Sequence, residues 1–236
     1  MPARQVSATR AKSEPPVEVL SHNLAGQKLG RKGLLTRERI LTATADILAE
    51  PGESPISLSA VARRASLGMT ALYNYFNDLT ELLSAVLEPV MATAEESYIS
   101  RLRHRWSDEE LGAQCDAFVH DYHAFWVRNS RLLHLRNSMA DNGDHRLMLL
   151  RVSAAQPVMG LLVEQMDGDP QATASPVYAM ATVMMTGLER TITVSTDAVL
   201  PNLMARTPRS SDHYLKPSVR LLELGITDMR RSNASE

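Results

Sequence analysis

The chain has little of what rigid small folds and catalytic sites usually rely on. One cysteine, Cys115, among 236 residues excludes an intrachain disulfide framework and fits a reducing compartment. Aromatic residues make up only 5%, against 12 methionines and abundant alanine and leucine, a balance that suits helices. No run approaches the roughly 18 apolar residues that span a bilayer. The amino terminus carries Arg4, Arg10 and Lys12 without an apolar stretch behind them. No membrane partner and no secretory leader are therefore expected, and a cytoplasmic, nucleoid-associated location is. Gly-x-Ser-x-Gly, Walker A, dinucleotide glycine and His-Glu-x-x-His patterns are all missing, so the chain does not read as an enzyme and no cofactor is expected.

Charge is unevenly divided. The net value of −2 hides a front segment, 1–78, with 10 Lys/Arg against 7 Asp/Glu, and a remainder with 15 against 20. A net +3 followed by −5 suits a nucleic-acid-binding front end joined to a body with another task.

Residues 56–83 carry the clearest pattern. Leu58, Val61, Ala62 and Ala65 fall on one helical stripe, Ser57 is placed to cap it, and Ser66-Leu67-Gly68 supplies a turn. In the next helix Leu72 and Phe76 face inward, which turns Met69, Thr70, Tyr73 and Asn74 outward as one patch. Two short helices and a tight turn, followed at once by a third helix, are the layout of a helix-turn-helix major-groove reader. Asn74, Met69 and Thr70 are best placed for base edges, since Asn pairs with adenine and Met packs on a thymine methyl.

These residues resemble the signature of the tetracycline-repressor (TetR) family. The resemblance is carried by Ser57, Leu58, Val61, Ala62, Leu72, Tyr73, Tyr75, Phe76, Leu82 and Leu83. It covers roughly residues 31–90; beyond them only length and helical character agree. It implies an all-α chain: a disordered arm (1–28), a helix-turn-helix DNA-binding domain (29–78) and a helical ligand-binding and dimerisation domain (79–236). By resemblance Tyr73, Ser57 and Thr70 contact phosphates, and Ser59, Gly68, Ala71 and Tyr75 join the DNA-facing set. The family's lysine at the start of the fourth helix is Leu79 here. A ligand-responsive regulator follows, most simply a repressor: a homodimer on a palindromic double-stranded DNA operator, released by a small apolar or amphipathic effector. The alternatives are a same-fold DNA binder without small-molecule control, an activator, or a helical adaptor whose 57–76 hairpin binds protein.

Around this motif the remaining elements can be laid out. Lys28, Arg31 and Lys32 form a basic, glycine-flanked tail that either lies along phosphates or is a solvated linker. The first helix is expected from Thr36 as N-cap to a stop at Pro51-Gly52, and the fourth from an Asp78–Glu81 capping box to near Arg105, bent around Pro89. Further helices are expected from Ser107-Asp108-Glu109-Glu110 onward, then over 130–140, 144–166, 172–196 and 212–228, with a loop containing Pro201 and Pro208. The last two helices are apolar on more than one face, as a four-helix dimer interface requires.

In the body, Phe118, Tyr122, Trp126, Met139, Met159, Met184 and Leu188 are the candidate ligand-cavity residues, because methionine and aromatic walls adapt to apolar ligands. His120, His123 and Asp116 suggest a metal set only if ligands converge from another helix, and none is identified, so no metal is expected. Cys115 sits on an apolar stripe and reads as a small buried hydrophobe.

Overall fold

A computed structural model describes residues 28–50, 56–197 and 210–234. The arm before Lys28, the Pro51-Gly52 stop and the loop prolines Pro201 and Pro208 lie outside the described residues. All regular elements among the described residues are helical, in agreement with the all-α expectation. They are α1 (Arg31–Ala49), α2 (Leu58–Arg64), α3 (Met69–Tyr73), α4 (Leu79–Ala92), α5 (Leu111–Arg128), α6 (Ser130–Asp141), α7 (His145–Gln165), α8 (Pro176–Ser195) and α9 (Asp212–Asn233).

Several boundaries differ from the sequence reading. Helix α1 begins at Arg31 with Gly30 as N-cap, so Thr36 is interior; its hydroxyl donates back to the Lys32 carbonyl at 3.0 Å. Arg31 and Lys32 thus belong to the first helical turn rather than to a tail. Helix α4 ends at Ala92, and the chain continues through a π turn (Glu95–Ile99) and a 3-10 turn (Ser100–Arg103). Pro89 lacks the N–H for the ladder, and the α pattern is lost within its next turn. Helix α5 starts only at Leu111, after Ser107 has accepted a bond from the Glu110 amide. Ser175 caps α8 with Pro176 in the first turn, so α8 starts later than 172. Helix α9 runs on to Asn233, past the expected 228.

The helix-turn-helix is built by caps and one strained residue. The Ser57 hydroxyl accepts from the Ala60 amide at 3.2 Å, as an N-cap should. The turn takes its left-handed step at Ser66 (φ 52°), whereas Gly68 is extended and caps α3. Asp78 accepts from the Glu81 amide at 2.8 Å, while Glu81 reaches back to the Asn77 amide, one residue beyond the ideal box.

Two hydrophobic clusters organise the chain. The first holds Ile40, Val61, Leu72, Phe76 and Leu82; the second runs from Leu83 through α5 to α9, with Phe118, Trp126, Leu162 and Ile226. Leu79, Leu41, Leu48 and Leu135 pack against both. Helices α8 and α9 close up at Gly225, where a Cβ would stand 2.5 Å from the Met184 sulfur. Helix α7 is, by length and mean hydropathy (1.4), the one helix among the described residues apolar enough to cross a membrane. It nevertheless carries Arg151, paired with Glu189 of α8, and it packs along α6 and α8.

A polar joint fastens α4 to α7. Asp144, the N-cap of α7, accepts from the Thr80 hydroxyl, and Arg146 donates to Asp78 at 2.9 Å. The Thr80 hydroxyl holds the Asp144 carboxyl below its ordinary 3.8, despite some desolvation. At Asp78 burial pulls upward, but the Glu81 amide and Arg146 outweigh it and leave the value lowered. Carboxyls with depressed folded values add stability that is full above 3.8 and is lost as pH falls through the lowered values.

Two outcomes follow from these features. Ser66→Gly relieves the left-handed strain and should raise unfolding stability by about 1 kcal/mol in urea titrations. Asp144→Asn should narrow the gap between stabilities measured at pH 7 and pH 3, where about one carboxyl's linkage disappears; an unchanged gap would contradict the joint.

Candidate nucleic-acid interface and body cavity

The α2–α3 unit presents one surface to solvent. Leu72 and Phe76 are fully buried, and their rotation leaves Tyr73 (48% exposed), Thr70 and Asn74 on the outside. Ser59, Gly68, Arg63 and Arg64 are exposed beside them. Ser57, Met69, Ala71 and Tyr75 are half-buried, and Met69 and Tyr75 also pack against the small cluster. The expected residues are therefore brought onto one face, with Met69 and Tyr75 at its root rather than its crest. Arg64 is engaged by Glu50. Arg37 lies over the Phe76 ring at 5.4 Å, a cation–π contact that seals the back of α3.

Lys28, Arg31 and Lys32 are exposed at the start of α1. Two cations in a first turn oppose the helix dipole, and an anion brought beside them would relieve that. The surface can offer hydroxyls, an amide and guanidinium groups to phosphates and base edges; it contains no acid–base pair or nucleophile set in the described residues. Leu79, where the resembled family has lysine, is half-buried against both clusters, so here the position joins two cores.

The chain matches no family profile and no curated protein. Its backbone does match solved structures. One is a protein of Streptomyces coelicolor A3(2) described as a transcriptional regulator, with TM-score 0.55 and 19% identity over 79% of this chain and 98% of the other. Another is a TetR-family transcriptional regulator from Streptomyces coelicolor, with TM-score 0.53 and 20% identity over 82% and 99%. This chain has the TetR-regulator fold. At such identities the likeness is one of architecture, and the chemistry rests with this chain's own residues.

Within that TetR fold two small hollows open in the body among the described residues. The first, of about 20 Å³, lies among α4–α8 and is lined by Tyr98, Tyr122, Trp126, Arg136, Arg151 and Glu189 with apolar neighbours. The second, of about 90 Å³, lies among α5, α7, α8 and α9, with Phe118, Met184 and Leu188 in its wall. Of the expected ligand residues, Tyr122 and Trp126 thus face one hollow and Phe118, Met184 and Leu188 the other. Met139 and Met159 are half-buried on the core's flank and line neither.

The sequence reading missed the charged residues of the first hollow. Arg136, 5% exposed, stands over the Trp126 ring at 6.0 Å. Its Nε donates to Asn137 at 3.0 Å, and Asn137 donates to Glu189 at 3.1 Å. Arg151 donates from Nε to the same Glu189 oxygen at 3.2 Å and from Nη1 to Asp141 at 3.0 Å. Desolvation lowers the Arg136 value and pushes the Tyr98 phenol up to about 12. A signal was available: each of these charges interrupts an apolar helical stripe, Arg136 between Leu133 and Ala140, Glu189 between Met185 and Ile192.

Cys115 is fully buried, and desolvation pushes its thiol up to about 12, so it packs as a hydrophobe. The His120 ring bonds the Asp116 carbonyl at 2.8 Å, and no metal-competent cluster of His, Cys, Asp or Glu occurs among the described residues.

The interface predicts a separation of binding from folding. Tyr73→Phe, which removes one exposed hydroxyl, should weaken duplex binding about threefold to tenfold while leaving the melting temperature unchanged within error. Equal affinities in fluorescence anisotropy would remove Tyr73 from the interface.

Proposed function

We propose that this chain is a DNA-binding transcriptional regulator, not an enzyme, acting as a homodimer and as a repressor released by a small molecule held in its body. The observation that carries the reading is the outward face of α3: Thr70, Tyr73 and Asn74 stand free on a short helix whose other side is locked into the core. A major groove admits such a helix, and hydroxyl and amide groups suit its contents.

The dimer reading draws on α8 and α9. Ala179, Val183 and Gly187 share an exposed stripe of α8, and Leu221 and Leu224 one of α9. Val183 is 66% and Leu221 58% exposed, a large apolar display for two helices packed side by side. Nothing lies within 4 Å of the Cβ position of Gly187, so a second copy could approach closely there. Four helices from two chains would cover both stripes, and two-fold symmetry would set the readers about 34–36 Å apart on a palindrome.

Release would work through α6 and α7, each of which is bonded to a helix, α1 or α4, that packs in the reader's core. Arg131 of α6 donates to the Ile47 and Glu50 carbonyls at the end of α1, at 2.6 and 3.0 Å. Helix α7 holds α4 through Asp144 and Arg146. A ligand that shifts either helix favours a different reader placement to the extent that it binds that state more tightly.

Selection from a random duplex library, followed by gel shifts over a salt series, tests the reading. The expected result is an enriched palindrome bound with a steep fall of log affinity against log salt. Failure to enrich any duplex, or binding indifferent to salt, would favour a protein-binding adaptor instead.

A further inference from the structure

The first body hollow has a charge arrangement that an apolar ligand would not use. One Glu189 oxygen serves Asn137 at 3.1 Å, Arg151 at 3.2 Å and Arg136 at 3.6 Å. The last distance is too long for a hydrogen bond. Arg151 has a second carboxylate in Asp141, but that side chain is 63% exposed and largely screened. Two guanidinium groups therefore share one enclosed carboxylate.

Arg136 brings hydrogen-bond donors that the protein leaves unused to the wall of the hollow. Its Nε is taken by Asn137, and its terminal nitrogens make no hydrogen bond among the described residues. No fully buried side-chain nitrogen or oxygen among the described residues lacks a partner, and Arg136, only 5% exposed, lines the hollow. A desolvated cation with unused forked donors is costly unless an anion or water meets it. Tyr98, Tyr122 and Trp126 line the same hollow, edge to face with ring centroids 4.9 Å (Tyr98–Tyr122) and 6.5 Å (Tyr122–Trp126) apart, and the Arg136 guanidinium lies over the Trp126 ring.

Resting on the reading of the body as an effector-binding unit, we propose that this hollow takes a small organic acid, its carboxylate gripped by Arg136 and Arg151 and its apolar portion set against Tyr98, Tyr122 and Trp126. Guanidinium forks match carboxylates two bonds at a time, which a neutral ligand cannot reproduce. The present free volume of about 20 Å³ holds a single water. Entry of an acid therefore requires Met91 and Met185, unbranched and adaptable side chains on the hollow's wall, to move aside.

Occupation also has a mechanical consequence. Arg136 lies on α6, which carries Arg131 against α1, and Arg151 lies on α7, which carries Asp144 and Arg146 against α4. A ligand carboxylate competes with Glu189 of α8 for both arginines, so binding loosens α6 and α7 from α8 and reaches the reader through both contacts.

Titration calorimetry on the full chain without DNA tests this, with benzoate and octanoate as probes and benzamide and octanamide as neutral matches. The acids should bind about tenfold or more tightly than their amides. Arg151→Gln, at a partly exposed side chain, should remove that preference, and Glu189→Gln should strengthen acid binding by freeing both arginines. Amides binding as tightly as acids, no heat from any of the four, or an undiminished preference in folded Arg151→Gln protein would each overturn the inference. Duplex binding measured on the same preparation keeps the two readings apart: its failure strikes the regulator reading, whereas calorimetric silence with intact duplex binding strikes this one.

Discussion

A helix of five residues does not persist in water, because nucleation costs more than so few hydrogen bonds return. Helix α3 exists because Leu72 and Phe76 are buried in a cluster with Ile40, Val61 and Leu82, on three other helices. That burial fixes the rotation of α3 about its own axis, and the rotation fixes which side chains meet solvent. The presentation of Thr70, Tyr73 and Asn74 is thus a consequence of packing on the opposite side. Helix α4 extends the constraint. Its Leu82 belongs to the small cluster and the adjacent Leu83 to the large one, so the reader cannot tilt without disturbing the body.

The body is organised differently from its surroundings. At the end remote from the reader, Arg230 donates to the Gln165 and Trp106 carbonyls and to Asp108, and Gln165 in turn binds the Leu102 and His104 carbonyls. Every polar group in that lock is answered by another, which makes it a fixed point. The hollow between Arg136, Arg151 and Glu189 lies between this lock and the reader's joint, and its cations outnumber its enclosed carboxylates. On the proposed effector reading, a ligand bound at this charge imbalance would act between that fixed end and the joint to the reader.

Much of this was legible in the sequence because short-range rules govern it. Ser57 and Asp78 cap their helices as their positions imply, and the stripe Leu58–Val61–Ala62–Ala65 and the pair Leu72–Phe76 turn inward. Helix starts were less legible where a good cap has competitors: Thr36 was outbid by Gly30, since the Arg31–Leu35 segment contains nothing that opposes a helix strongly enough to stop it. The aromatic part of the hollow, Tyr122 and Trp126, could be anticipated from the α5 stripe. Its charged part could not, because which of several interrupted stripes converge depends on how α6, α7 and α8 cross. Met139 and Met159 show the converse: composition alone does not aim a side chain.

Docking of a duplex on the outer face of α2 and α3 is tested most directly by amide hydrogen exchange with and without a selected bound duplex. Slowed exchange over residues 57–60 and 68–76, with the outer stripes of α8 and α9 indifferent to the duplex, is the predicted map. A complex that forms while α3 exchanges as in the free protein would contradict it.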